Sequence, residues 1–279
     1  MDCQYNRKLA IACGLITIPC RRTFDRRLKT ISTDIKERIS TMGYLFIAER
    51  LVVDPSITAT DSTLIKANGS VWHKSSMKKG IVPRSGIDTD ARWGYSHTKG
   101  WVFGYKLHLT CTTGDLVVPL TADVTTANVP DNKMYVPLTS LSLSLSSSFS
   151  IFSLPSLRYM VADPGYDAKK LYEHSKGLGI DLVCPVERYA STSKKRLEIV
   201  CFYQSVLGQA IYSKRRISVE PLIEHIKTVF RIDQLPVRGV QAISAIVLLS
   251  VLLYQLMIYY NCKKNTSNPK SIKYMLGTW

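Results

Sequence analysis

The pattern of apolar and polar residues predicts strands in five separate parts of the chain. β-Branched and aromatic residues are concentrated in short segments, which is the length and composition that strands favour. Five segments have this character: Ser56–Ile65, Val102–Thr112, Leu116–Val124, Arg158–Ala162 and Ile180–Val186. A short turn at Gly114 separates the second segment from the third, and glycine adopts positive φ there without steric cost. The second and third segments are therefore expected to be neighbouring strands.

Helical periodicity lies mainly in the second half of the chain. Apolar spacing predicts helices over 168–178, 219–231 and 240–260, and a further helix within 131–157. Ser218 and Pro221 mark the start of the helix over 219–231, because Ser is a favourable N-cap and Pro is tolerated only in a first helical turn. This mixture of strands and helices predicts an α/β fold in which helices pack on a mixed central sheet.

The remaining pattern suggests three regions. Residues 1–50 are helical and basic and are expected to form a small N-terminal appendage. Residues 51–265 are expected to form the α/β domain, and residues 266–279 a C-terminal tail.

Three stretches lack a regular apolar period. The basic, glycine-punctuated segment Lys66–Gly100 predicts a long loop or hairpin, and residues 187–215 are basic and read as irregular. Residues 138–157 form a low-complexity tract rich in Ser and Leu. The segment Lys66–Gly100 is too polar to form core, and the pattern does not assign a conformation to the Ser/Leu tract.

The uncharged segment Val240–Tyr260 is long enough to cross a membrane, which takes roughly 20 residues. Ser244, Ser250 and Gln255 interrupt it, and a buried core helix is favoured over a membrane anchor. The first 25 residues lack a small-residue cleavage site, so a secretory signal is not expected. The seven cysteines are scattered without a C-x-x-C pair, which fits a reducing cytoplasm rather than a disulfide framework.

The charge balance favours a polyanionic partner. Thirty-seven Lys and Arg against 21 Asp and Glu give a formal charge of +16. Such an excess neutralises phosphates and releases counterions, so nucleic acid is the first candidate. A basic protein without such a partner and an anionic membrane surface are the alternatives.

Three acidic residues lie at the ends of predicted elements. Asp61 is in the first strand, Asp163 follows the fourth, and Glu220 is in the first turn of a helix. Functional groups of open α/β sheets gather at strand C-termini and helix starts, so these carboxylates could converge; three ordinary surface acids are the alternative. Carboxylate clusters hold pairs of hard divalent ions that catalyse in-line attack on a phosphodiester.

Four motifs resemble the DDE transposases of IS4/IS5-type insertion sequences. In chain order they are Ala59-Thr60-Asp61-Ser62-Thr63, Gly104-Tyr105-Lys106-Leu107-His108, Ala162-Asp163-Pro164-Gly165-Tyr166 and Arg216-x3-Glu220-x6-Lys227. The resemblance covers about residues 15–262. The 57 positions (220−163) between the last two acids leave no room for the large insertion domain of some members.

The resemblance implies an RNase H-like fold in which Asp61, Asp163 and Glu220 bind two Mg²⁺ or Mn²⁺ ions. It implies cleavage of double-stranded DNA at transposon ends and strand transfer into target DNA, with a homodimer on DNA. Tyr212, Arg216 and Lys227 match a Tyr-Arg-Glu-Lys signature and are assigned to DNA binding, because its basic members are expected to contact transposon-end phosphates near the active site. The spacing from Tyr212 to Arg216 is one residue longer than that signature, so Arg215 competes for the arginine role.

Several alternatives stay open. A nuclease that cuts without joining would use the same triad. A decayed or domesticated copy would bind DNA without cutting it.

Four other residues have predicted roles near the site or in the basic loop. Trp93 and Trp101 would either stack on unpaired bases or anchor the basic loop. His108 would support the site from behind, and Gly165 would adopt a φ value closed to other residues.

Overall fold

The structure is a computed structural model that describes residues 7, 10, 11, 14, 16–96, 99–149, 157–186, 193–272 and 275. Its strands are β1 (Ile57–Lys66), β2 (Arg92–Ser96), β3 (Gly100–Thr112), β4 (Pro119–Thr126), β5 (Tyr159–Val161) and β6 (Asp181–Val183). Its helices are α1 (Arg21–Leu28), α2 (Ser32–Ala48), α3 (Lys74–Lys78), α4 (Asp131–Phe149), α5 (Lys169–Gly177), α6 (Lys194–Gln204), α7 (Val206–Ile217), α8 (Val219–Phe230) and α9 (Val240–Lys263).

One mixed sheet organises the described residues. Its order is β2-β3-β1-β5-β6, and β4 pairs with β3 on the edge where β2 also pairs. β3 is antiparallel to β1, β2 and β4, whereas β1, β5 and β6 are parallel. Without β2, the strand order is β4-β3-β1-β5-β6, and only β3 runs antiparallel to the rest. This is the RNase H-like arrangement, and the predicted fold class is confirmed.

Two glycines explain local features of the sheet. Gly114 has a φ of +116° in the turn between β3 and β4, as the sequence predicted. A Cβ on Gly104 would collide with the carbonyl oxygen of Ile65 on β1. The glycine of the Gly104-Tyr105-Lys106 motif therefore allows the two backbones to approach closely where β1 ends.

Helices α2 and α9 pack together against β4. Ile35, Ile39 and Phe46 of α2 are buried in the same core as the sheet. Gln255 of α9 donates through Nε2 to the carbonyl oxygens of Ile39 and Pro119, both at 2.9 Å. α1, in contrast, has no buried residue. The expected appendage over residues 1–50 is therefore too long, because α2 is part of the core.

In the described part of the chain one helix, α9, is long and apolar enough to cross a membrane by length and composition. Its most apolar window has a mean hydropathy of 2.2, and 61% of that window is buried within the protein. Ser250 Oγ donates to the Ile246 carbonyl within the helix. This burial agrees with the predicted core helix.

Three stretches without a regular apolar period are more ordered than predicted. Residues 193–217 contain α6 and α7, and Ser205 separates them, because its Oγ caps α7 by accepting from the Gly208 amide at 3.0 Å. The Ser/Leu tract is helical as far as Phe149, although Pro137 lies within α4. The basic segment after β1 contains α3 and β2. These elements were not predicted because their high charge or low complexity leaves no periodic spacing of apolar residues.

Parts of several predictions fall outside the described residues. These parts are Cys3, Cys13, His97, most of residues 1–15, and residues 150–156, 187–192 and 276–279.

Candidate active site

Asp61 and Asp163 occupy matching positions on neighbouring parallel strands. β1 pairs with β5 in a register that joins Ile57 to Tyr159 and Ala59 to Val161, an offset of 102 (159−57). Asp61 and Asp163 have the same offset (163−61), although Asp163 lies just beyond the end of β5. Adjacent strands are about 4.8 Å apart. The fold therefore brings the first two predicted carboxylates side by side.

Arg215 links the first carboxylate to the third. From the end of α7, its Nη2 donates to Asp61 Oδ2 at 2.8 Å and its Nη1 donates to Glu220 Oε1 at 2.6 Å. The Asp61 and Arg215 side chains are mostly buried, whereas the Glu220 side chain is 44% exposed. The structure places Glu220 at the start of α8, as predicted, and joins it to Asp61 through a guanidinium.

The start of α8 differs from the prediction in one detail. Ser218 precedes the helix, but its Oγ donates to the Lys214 carbonyl at 2.6 Å instead of capping α8. Ser218 therefore joins α7 to α8, the two helices that carry Arg215 and Glu220.

The environment disfavours the charged forms of the two aspartates. Burial raises the pKa of Asp61 to about 6, against the lowering effect of Arg215, and Asp163 raises it further. Burial also raises the pKa of Asp163, and the neighbouring Asp131 adds to that increase. Crowded, buried carboxylates with raised pKa values are typical of sites that bind a cation.

Asp131 is a fourth carboxylate at this site, and sequence reasoning missed it. It begins α4, and its Oδ1 accepts from Lys106 Nζ at 2.9 Å and from Ser62 Oγ at 2.8 Å. Ser62 and Lys106 belong to the motifs around Asp61 and Gly104, but their partner lies 69 and 25 positions away. Only the pairing of β1 with β3 brings these groups together.

His108 lies behind this cluster. Its Nδ1 is 3.7 Å from Asp131 Oδ1, and its Nε2 is 2.9 Å from Thr125 Oγ1. Its side chain is fully buried, and burial lowers its pKa to about 4 against the opposing effect of Asp131. His108 is therefore neutral near pH 7 and packs against Asp131 as a supporting residue.

Gly165 supports Asp163, but not through an unusual backbone angle. Its amide donates to Asp163 Oδ1 at 3.0 Å, and its φ is not positive. A Cβ at Gly165 would lie 3.1 Å from the same oxygen. The expectation of a special φ is wrong, and the close approach of the carboxylate explains the glycine instead.

The predicted DNA-contacting residues lie at different distances from the carboxylates. Arg215 contacts two of them, whereas Arg216 is exposed. Tyr212 packs edge-on against Tyr203 with ring centroids 5.4 Å apart. Lys227 is buried on α8, and its Nζ is 3.7 Å from Asp233 Oδ1. Burial lowers the pKa of Lys227 against the effect of Asp233, and the neighbouring Lys99 lowers it further.

The donors suit a hard divalent cation. Asp61, Asp163 and Glu220 offer carboxylate oxygens, the ligands that Mg²⁺ and Mn²⁺ prefer. Within the described ranges, no three His, Cys, Asp or Glu residues stand close enough to hold a metal ion, and Glu220 is directed to Arg215. Two adjacent buried carboxylates with raised pKa values nevertheless fit a cation.

Comparison with known proteins gives one family. The family described as transposase DDE domain matches residues 53–256. No curated protein matches the sequence.

Solved structures that resemble the chain include the catalytic domain of the Mos1 mariner transposase. The likeness has a TM-score of 0.29 and 9% identity, over 80% of this chain and 90% of that one. The Mos1 mariner paired-end complex with Mn has a TM-score of 0.29 and 10% identity, over 90% and 72%. A pre-cleavage Mos1 transpososome has a TM-score of 0.28 and 8% identity, over 80% and 61%.

Proposed function

The chain belongs to the transposase DDE domain family and acts in DNA transposition, and from that premise we propose that Asp61, Asp163 and Glu220 are its catalytic carboxylates. The observation that carries the proposal is the arrangement of the other two carboxylates around Asp61. Asp61 and Asp163 lie side by side in register, and Arg215 holds Glu220 to Asp61. These three residues would hold Mg²⁺ or Mn²⁺, with two ions expected.

The reaction has two steps at one site. In the first step a water oxygen bonds to the phosphorus at the transposon end, the bond from phosphorus to the 3′ oxygen breaks, and that oxygen takes a proton. In the second step the new 3′-hydroxyl attacks a phosphorus of target DNA and releases a target 3′-hydroxyl. When bound, a pair of divalent ions activates the attacking oxygen and stabilises the leaving one.

Residues around the triad fix its geometry. Lys106 and Ser62 hold Asp131 against the sheet, and Asp131 faces Asp163, whose pKa it raises. Asp131 and Lys106 are positioning residues in this proposal, because they act through Asp163 rather than on the phosphate. Arg215 keeps Asp61 and Glu220 oriented when no substrate is present.

Double-stranded DNA is the proposed partner, and a homodimer on DNA would bring two transposon ends together. Arg216 is exposed one residue after the guanidinium that joins the carboxylates, so it can reach a phosphate beside the scissile bond. Tyr212 and Lys227 are assigned to the same DNA surface, although Lys227 must first exchange Asp233 for a phosphate. The formal charge of +16 supports phosphate binding over a wide surface.

The test compares conservative variants on two DNA substrates. Asp61→Asn, Asp163→Asn and Glu220→Gln should each abolish Mg²⁺-dependent cleavage and keep DNA binding. Glu224→Gln is the matched control, because Glu224 is an exposed acid one turn further along α8. Retained cleavage by the Glu220→Gln protein would remove Glu220 from the triad.

A pre-cleaved end with a free 3′-hydroxyl separates the alternatives. Strand-transfer products identify a transposase. Cleavage without joining identifies an RNase H-like nuclease, and binding without either reaction identifies an inactive or domesticated derivative.

A further inference from the structure

The hairpin of β2 and β3 presents two aromatic rings to solvent. Tyr95 and Trp101 are directly paired across the strands, with ring centroids 5.4 Å apart and an interplanar angle of 62°. Tyr95 is 55% exposed and Trp101 is 58% exposed. An exposed tryptophan beside an exposed tyrosine leaves large apolar faces in water, which is typical of a binding surface.

Trp93 on the same hairpin has a different role. Its Nε1 donates to the Trp72 carbonyl at 2.8 Å, and its ring packs against Phe103. Trp93 therefore anchors the hairpin to the core, which was one of the two roles considered for the tryptophans. Trp101 is the one whose surface is available to a ligand.

The surroundings of the ring pair are cationic. Lys74 Nζ lies 3.2 Å from the centroid of the Trp101 ring. Between Asp61 and Asp88 the sequence contains Lys and Arg but no acid, and the same holds between Asp90 and Asp115. A second copy of a chain with a formal charge of +16 would be repelled from this surface, whereas a phosphate-bearing strand would be attracted.

The ring pair lies on the same side of the sheet as the first catalytic carboxylate. Asp61 pairs with Leu109, and Trp101 is eight positions earlier on β3, an even number that keeps both on one face. Eight residues of strand span roughly 26 Å. That length corresponds to about eight steps of duplex DNA at 3.4 Å each, and an unpaired strand covers it with no more nucleotides.

A basic path joins the two places. Lys227 lies seven residues after Glu220 on α8, roughly 10 Å along the helix axis. The amino group of Lys99, two residues before Trp101, lies close enough to lower the pKa of Lys227. A DNA strand held at the carboxylates can therefore continue past the buried Lys227 and over the exposed Lys99 to the hairpin.

We propose that Tyr95, Trp101 and Lys74 bind unpaired bases of the DNA strand that leaves the active site. This inference rests on the proposed function. Bases within a duplex have both faces covered by their neighbours, so only an unpaired or splayed base can stack on an exposed ring. Lys74 provides the positive charge for the accompanying phosphate when a base takes its place over the Trp101 ring.

The test measures binding of the full chain, by fluorescence anisotropy, to two DNA probes with the same duplex length. One probe is blunt and the other carries a single-stranded oligothymidine overhang of about eight nucleotides. Trp101→Ala should lose roughly tenfold in affinity for the overhang probe and less than about twofold for the blunt one. Trp101→Phe, which keeps an aromatic face, should restore most of that loss.

Tyr260→Ala is the matched control, because Tyr260 is also an exposed aromatic residue with a lysine, Lys264, over its ring. It should bind both probes like the wild type. Unchanged binding of the overhang probe by a folded Trp101→Ala protein would overturn the proposal, as would an equal loss on both probes. If Trp101→Ala instead changed the oligomeric state of the DNA-free protein, measured by sedimentation, the rings would belong to a protein interface and the proposal would be wrong. Failure of the wild type to bind either probe would refute the proposed function itself.

Discussion

Replacing Asp61 by Asn should stabilise the metal-free protein, and more so as the pH rises. Burial raises the pKa of Asp61 from 3.8 to about 6, so the folded state holds this proton more tightly than the unfolded state. The folded protein is therefore penalised as pH rises through this window, and the penalty is complete above pH 6. A shift of about two units corresponds to roughly 3 kcal/mol.

The measurable part of this effect lies above pH 5. Linkage with these two pKa values gives a penalty of about 2 kcal/mol at pH 5 and about 3 kcal/mol at pH 7.5. The unfolding free energy of Asp61→Asn minus that of the wild type should therefore increase by about 1 kcal/mol between these pH values. Urea unfolding followed by circular dichroism in EDTA measures it.

Two comparisons make this prediction decisive. Asp115→Asn, in the exposed turn between β3 and β4, should follow the wild type at every pH. Addition of Mg²⁺ at pH 7.5 should stabilise the wild type and have less effect on Asp61→Asn, because a ligand of the folded state adds stability in proportion to its affinity. Parallel pH curves for Asp61→Asn and the wild type would show that burial of this carboxylate carries no penalty.

Three further predictions concern the core and the charge. Val251→Lys should unfold the domain because Val251 is fully buried, whereas Leu249→Lys on the same helix should be tolerated because Leu249 is 39% exposed; thermal melts of both proteins test this pair. Gln255→Leu should lower the unfolding free energy by about 2–4 kcal/mol, since two buried carbonyl oxygens lose their donor, and urea titration would refute this reasoning if the loss were below about 0.5 kcal/mol. The affinity for DNA should fall steeply between low and physiological salt, and Arg216→Ala should reduce the slope of log K against log salt by about one; a flat dependence would argue against phosphate contacts.

The sequence was sufficient for those features that depend on local pattern. β1, β3 and the turn at Gly114 follow directly from alternation and from glycine chemistry. The spacing between Asp61 and Asp163 already equals the register of β1 with β5, although the sequence does not reveal that register. The resemblance to a family selected Asp61 and Asp163 among the acids, and their side-by-side placement follows from strand pairing.

Long-range contacts account for what the sequence could not predict. Asp131 was identified only as the beginning of a helix, because its partners Ser62 and Lys106 come from two other elements. Spacing left open whether Arg215 or Arg216 takes the arginine role, and the contact of Arg215 with Asp61 depends on the packing of α7 beside β1. Helices α6 and α7 were missed because their charged residues mask the apolar period.

The bond from Gln255 to Ile39 has a consequence for the order in which the protein folds during synthesis. The two residues are 216 positions apart, so α2 leaves the ribosome long before the helix that covers it. Until α9 has emerged, the apolar residues of α2 and of β4 have no cover on that face, and contacts of such high sequence separation form slowly. A messenger cut short before the codons of α9 would therefore yield an aggregation-prone chain rather than a smaller DNA-binding protein.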